Sequence, residues 1–155
     1  MLRCVWDHPQ EVAQFVASRI PHCQRGFGNC YAMGVIDDDG RLVAGVVYHN
    51  HDPEAGLMEI SGASLTSRWL TRDVLFQMYW YPYLRCGCQM TAMRVPADNE
   101  RLLILLGRFG YEFVKQRRLF GRDRDGIIAS LTAEDWAANK FNQPRAEAAP
   151  IREAA

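Results

Sequence analysis

Lysine is almost missing from this chain of 155 residues: it occurs only at Lys115 and Lys140. Nearly all the positive charge is therefore guanidinium, the group best shaped to fork onto phosphates and carboxylates. A charge excess of either sign is missing too, since 18 basic residues face 18 acidic ones. No overall field draws the protein to nucleic acid or to anionic lipid, and any such binding requires a local patch. No apolar run approaches the roughly 20 residues needed to span a bilayer, so no membrane partner is expected. The start, Met-Leu-Arg-Cys-Val-Trp-Asp, lacks the long apolar stretch of a secretory signal, and the 5 cysteines are an odd number. A reducing cytoplasm is the expected setting. Cys86-Gly-Cys88 is spaced too closely for a structural zinc pair and has no second pair, so no metal is expected. A glycine-rich nucleotide fingerprint, the regular alternation of a doubly wound sheet and internal repeats are likewise absent.

What is present reads as one domain over residues 1–140, long enough to bury roughly two thirds of its unfolded surface. The tail, 141–155, is rich in Ala, Pro and Glu and is expected to be disordered. A short strand at 2–6 precedes an amphipathic helix at 9–20, where Val12, Phe15, Val16 and Ile20 recur at helical spacing. Residues 21–29 form a loop. Cys30 to Asp37 and Leu42 to Tyr48 make a hairpin through Asp38-Asp39-Gly40, and the unbroken apolar run from Leu42 marks a strand covered on both faces. Leu57 to Leu65 is a third antiparallel strand. A helix beginning near Leu70 or Thr71 meets Pro82, which must kink or end it. Met90 to Val95 is a strand and Asn99 to Gly110 a helix with a glycine stop. Glu112 to Phe120 and Gly126 to Leu131 form a last hairpin, and a short helix starts at Thr132.

The stretch from Ile60 to Asp73 joins a strand to a helix through a turn that carries Arg68 and Arg72. A helix start leaves its first amides without partners and favours an anionic ligand. A plain capped helix with two solvated arginines is the ordinary alternative.

In this order, the turn Asp38-Asp39-Gly40 with Leu42-Val-Ala-Gly45, the strand-to-helix junction, and Asn99 followed by Leu106-Gly-Arg-Phe-Gly-Tyr111 resemble the Gcn5-related N-acetyltransferase family over about residues 1–137. The resemblance implies an α/β (α+β) fold: a mixed, mostly antiparallel sheet of six to seven strands flanked by helices on both faces. It also implies acetyl-coenzyme A as co-substrate, and an amine acceptor that attacks it directly. Two departures stand out. The family's junction loop carries glycines, whereas Ser67-Arg-Trp-Leu-Thr-Arg72 has none and looks like the variant of divergent members, including phage-encoded ones. Leu106 occupies the position where the family often has a tyrosine that protonates the leaving thiolate.

By this resemblance the amides of Trp69, Leu70, Thr71 and Arg72 bind the pyrophosphate, with Arg68 or Arg72 as charged partner. Ala63 and Leu65 pair by backbone with the pantetheine arm, and donors near Ala63 polarise the thioester. Asn99 reaches the same arm or simply caps its helix. The amine must lose a proton first, at a cost of roughly 4–5 kcal/mol for a lysine side chain and about 1 for an α-amino group at pH 7. Glu59 is the implied base, with His49 and His51 as weaker candidates at a strand end. Arg117, Arg118, Arg122 and Arg124 mix with Asp123 and Asp125 in a turn that is either solvated or a seat for an acidic acceptor. Beyond such arginines nothing points to nucleic acid. Any exposed part of the aromatic run Phe76, Tyr79, Trp80, Tyr81 and Tyr83 is a candidate homodimer face. A non-catalytic binding or assembly module on the same fold is the alternative function, and Leu106 and the glycine-free junction keep it open.

Overall fold

The computed structural model describes residues 1–142. Its elements run β1 (Arg3–Val5), α1 (Pro9–Arg19), a 3-10 turn (Pro21–Cys23), β2 (Cys30–Ile36), β3 (Leu42–Asp52), β4 (Leu57–Ser64), α2 (Arg72–Trp80), a wide helical turn (Tyr81–Arg85), β5 (Met90–Pro96), α3 (Glu100–Phe109), β6 (Glu112–Gln116), β7 (Gly126–Thr132), α4 (Ala133–Ala137) and a final 3-10 turn (Lys140–Asn142). The order of strands and helices is the one the sequence implies. Phe141 stacks on Phe109, so the domain continues to the edge of the described residues, while the rest of the expected disordered tail lies outside them.

Seven strands form one sheet in the order β1-β2-β3-β4-β5-β7-β6. Every neighbouring pair is antiparallel except β4 and β5. Helices cover both faces. On one, Val12 and Val16 of α1 pack on Ala32 and Val47. Gly34 and Gly45 face each other across β2 and β3 and give α1 its seat: a Cβ on Gly45 would lie 2.7 Å from Val12 and 2.9 Å from Val16. The other face carries the larger core, where Met33, Val46, Met58 and Ile60 meet Val74, Met78 and Tyr79 of α2, and Leu106 and Phe109 of α3. Leu42 to Val47 does run through the middle of the sheet, buried from Ala44 onward.

Three local departures from the sequence reading have physical causes. The α2 helix begins at Arg72 because Thr71 caps it, its hydroxyl accepting from the Val74 amide at 3.2 Å. Beyond Trp80 the helix widens over Tyr81–Arg85, since Pro82 has no amide to donate. Strand β6 stops at Gln116, because Arg118 turns into the left-handed region (φ 61°) and Leu119 and Phe120 fold back onto Gly126, where a Cβ would meet each at 2.6 Å.

Candidate active site

The parallel ladder between β4 and β5 has only three rungs: Leu57 opposite Met90, Met58 opposite Thr91, and Glu59 opposite Ala92. Past Glu59 the strands part company. β4 stays bonded to β3 as far as Ala44 opposite Ser64, and β5 stays bonded to β7 as far as Pro96 opposite Gly126. A wedge opens between them. It holds a cavity of about 750 Å³ lined by Ile60–Ser64 on one side and Met93–Pro96 on the other. That volume is in the range of small-molecule sites.

Register decides which backbone groups face this opening. Leu65 gives its amide to the Val43 carbonyl at 2.8 Å, within the sheet. Backbone direction alternates residue by residue, so Ala63 and Ser61 point the same way as Leu65, while Gly62 and Ser64 present theirs to the wedge. Ala63 lines the cavity all the same. Side chains alternate as well: Met58 and Ile60 enter the α2-side core, and Ala63 packs with the α1 cluster.

On the α2 side a second cavity of about 520 Å³ continues from the first, sharing Gly62, Ala63, Ser64, Asn99 and Leu102 with it. Trp69 walls this groove without filling it, its ring tip 3.8 Å from where a Cβ on Gly62 would lie. Among the described residues, the amides of Trp69, Leu70, Arg72 and Asp73 have no protein partner, whereas that of Thr71 bonds the Trp69 carbonyl at 3.0 Å. Arg68 is exposed beside them. The Arg72 guanidinium donates instead to the Lys140 carbonyl at 3.0 Å. Asn99 caps α3 by accepting from the Leu102 amide over a long 3.4 Å, and it borders both cavities.

On the α1 side stand the acid–base candidates. Glu59, 16% exposed, accepts from Arg94 Nε at 2.9 Å and from Asn50 Nδ2 at 2.9 Å, with His49 Nε2 3.9 Å away. Asn50 reaches it because β3 bulges: Asn50 and His51 together oppose Met58, and Asn50 adopts φ 49°, a conformation asparagine tolerates. His49 is 4% exposed, not solvated at a strand end as its polar surroundings in the sequence suggest, because β3 continues through it to Asp52. Its Nε2 lies 2.9 Å from Ser61 Oγ, and its ring rests on Phe27. Burial above all lowers its pKa, Glu59 opposes that shift, and Arg94 adds to it. The imidazole is therefore neutral at pH 7 and able to take a proton. Because the same nitrogen faces Ser61 and Glu59, these three do not form a nucleophilic triad, which needs one ring nitrogen for each partner.

Leu106 is buried in the core, 5% exposed, and no tyrosine lines either cavity. Asn50, Ser61, Gly62, Ser64 and Arg94 were not legible as site residues. Arg101 and Arg108, which border the groove beside α2, could have been found by their two-turn spacing on one helix face. Among the described residues no cluster of His, Cys, Asp and Glu is placed to hold a metal, and no helix is long and apolar enough to cross a membrane.

No protein-family model matches the sequence, and no curated protein matches it. Solved structures do. A mutant form of the spermidine/spermine N-acetyltransferase SpeG from Vibrio cholerae superposes with a TM-score of 0.73 at 10% identity, covering 89% of this chain and 98% of that one. A candidate acetyltransferase from Acinetobacter baylyi ADP1 gives 0.68 at 14%, covering 86% and 94%. Another candidate acetyltransferase gives 0.65 at 15%, and there the match covers 76% of this chain and only 65% of that protein. At such identities the likeness is one of fold: the chain has the Gcn5-related N-acetyltransferase fold.

Proposed function

We propose that this chain transfers an acetyl group from acetyl-coenzyme A to an amine, by direct attack in a complex of all three. The observation that carries the reading is the wedge itself. It links a groove that reaches Trp69 and Leu70, ahead of the α2 start on one sheet face, to the Ser61 hydroxyl on the other, behind which lie His49 and Glu59.

The donor set suits a pantetheine diphosphate. The amides of Trp69, Leu70, Arg72 and Asp73 and the positive end of α2 receive the pyrophosphate, and Arg68, Arg101 and Arg108 supply charge around it. Gly62 and Ser64 offer backbone groups to the arm, with Ala63 alongside and Asn99 across the groove. Arg72, held by Lys140, fixes the start of the helix. When bound, acetyl-coenzyme A supplies the activated acyl group. The Gly62 amide, aimed into the wedge, is then placed to stabilise the oxyanion.

On the acceptor side, the Ser61 hydroxyl accepts a hydrogen bond from the amine while donating to His49 Nε2. A proton leaving the ammonium passes by this route to the neutral ring. Glu59, fixed by Arg94 and Asn50, stabilises the imidazolium that results. Release of free thiol from acetyl-coenzyme A in the presence of a panel of amines tests the reading, with a mass increase on the amine as the expected product. Cofactor binding with no turnover on any amine is the outcome of a non-catalytic module.

A further inference from the structure

The acceptor end of the wedge is rich in arginine, although the chain as a whole is neutral. Arg19, Arg94 and Arg124 border the first cavity there, with Asp98 as the one acidic residue of its lining among the described residues; Arg94 is paired with Glu59 at 2.9 Å, which leaves Arg19 without an acidic partner. Asp98 and Arg124 also belong to an adjoining hollow of about 500 Å³ at the β6–β7 hairpin, where Arg117, Arg118 and Arg122 meet Asp123 and Asp125. Two of the three acidic groups of this hollow are engaged, and the third, Asp123, is exposed. Asp98 faces Arg124 at 3.6 Å, while Asp125 accepts from the Arg118 amide at 3.1 Å and faces Lys115 at 3.8 Å. Among the described residues no ion pair takes up the guanidinium of Arg117, Arg118 or Arg122. His22 stands on the same rim: burial lowers its pKa first, Arg94 and Arg124 lower it further, and Glu59 opposes them.

A polyamine would have to bring several positive charges into this space. We infer that the acceptor is instead an amine carried on an anionic body, whose carboxylate or phosphate groups lie against Arg124 and the hairpin arginines while the amine reaches Ser61. The inference rests on the wedge being a transferase site. Guanidinium forks suit either anion, and the two joined hollows leave room for a short acidic peptide or an amino sugar phosphate. The hairpin arginines also explain how a chain without net charge could steer such an acceptor from solution.

The test uses the full chain with acetyl-coenzyme A and matched acceptors: Ser-Glu-Glu-Glu against Ser-Gln-Gln-Gln, glucosamine 6-phosphate against glucosamine, and spermidine. In at least one pair the charged member is expected to exceed its neutral partner in kcat/KM by about tenfold, the worth of one charge-assisted contact. The pair that responds identifies the source of the anion. The gap should close at about 0.5 M salt, where screening is strong. It should also close in the Arg117→Gln, Arg122→Gln double variant, with acetyl-coenzyme A affinity unchanged. If no acceptor is acetylated, calorimetric binding of the same pairs decides by the same comparison. Equal behaviour in both pairs, or preference for spermidine, overturns the inference and leaves the transferase reading standing. Failure to bind acetyl-coenzyme A removes the transferase reading, whatever the probes do.

Discussion

A 2.9 Å hydrogen bond joins His49 and Ser61 on neighbouring strands, and it connects a buried neutral ring to a hydroxyl that opens into the wedge. If this pair carries the amine's proton, the acidic limb of the pH–rate profile follows His49, whose pKa lies below its ordinary value. Glu59 raises that pKa and Arg94 lowers it. Glu59→Gln should therefore move the limb to lower pH and Arg94→Gln to higher pH, and Ser61→Ala should lower kcat by roughly 10²-fold or more. Identical profiles for all three variants and the parent would remove His49 from the chemistry.

The same ring carries a thermodynamic cost in acid. Unfolded, its pKa is near 6.5; folded, it is lower, so the unfolded chain binds the extra proton first as pH falls. Stability is expected to be full above about pH 6.5 and to decline below it, until the folded pKa is passed. Urea unfolding at pH 7.5 and at pH 5.5 measures the decline. His49→Gln should make the dependence shallower.

Asn99 serves two candidate roles that one pair of variants separates. Asn99→Asp keeps an oxygen for the Leu102 amide but loses the side-chain N–H₂, and Asn99→Ala loses both. Alanine should cost about 1 kcal/mol of stability or less, given the long cap bond, and aspartate close to nothing. If the amide reaches the pantetheine arm, both should weaken acetyl-coenzyme A several-fold in calorimetry. An aspartate variant with full affinity would leave Asn99 as a cap alone.

The glycine seat beneath α1 can be tested without touching the cleft. Gly45→Ala drives a methyl into Val12 and Val16, at 2.7 and 2.9 Å. Overpacking of this kind should cost about 1–3 kcal/mol, read as a lower urea midpoint. Unchanged stability would mean that α1 shifts freely on the sheet.

The sequence makes the order of elements legible because each rests on local chemistry: period-two alternation in the strands, Gly110 closing α3, Asp38-Asp39-Gly40 turning the first hairpin. The site is less legible because its defining features are non-local. Nothing near Glu59 or Ala92 says that their rung is the last before the strands diverge. His49-Asn50-His51-Asp52 looks like a polar strand end, yet β3 runs on through it, and the left-handed turn at Asn50 swings an amide onto Glu59. Arg94 reads as one exposed residue on a strand until the fold sets it 2.9 Å from that carboxylate. That a helix starts near residue 71 was legible, because the apolar helical run follows directly on a strand and a turn, but the diversion of Arg72 to Lys140 depends on a segment far along the chain.

Calorimetric titration with acetyl-coenzyme A, on the parent chain and on an Arg101→Gln, Arg108→Gln variant, bears most directly on the wedge as a cofactor cleft. The expected result is saturable one-to-one binding by the parent, weakened about tenfold or more in the variant. A folded parent that takes up no cofactor at millimolar concentration would contradict it.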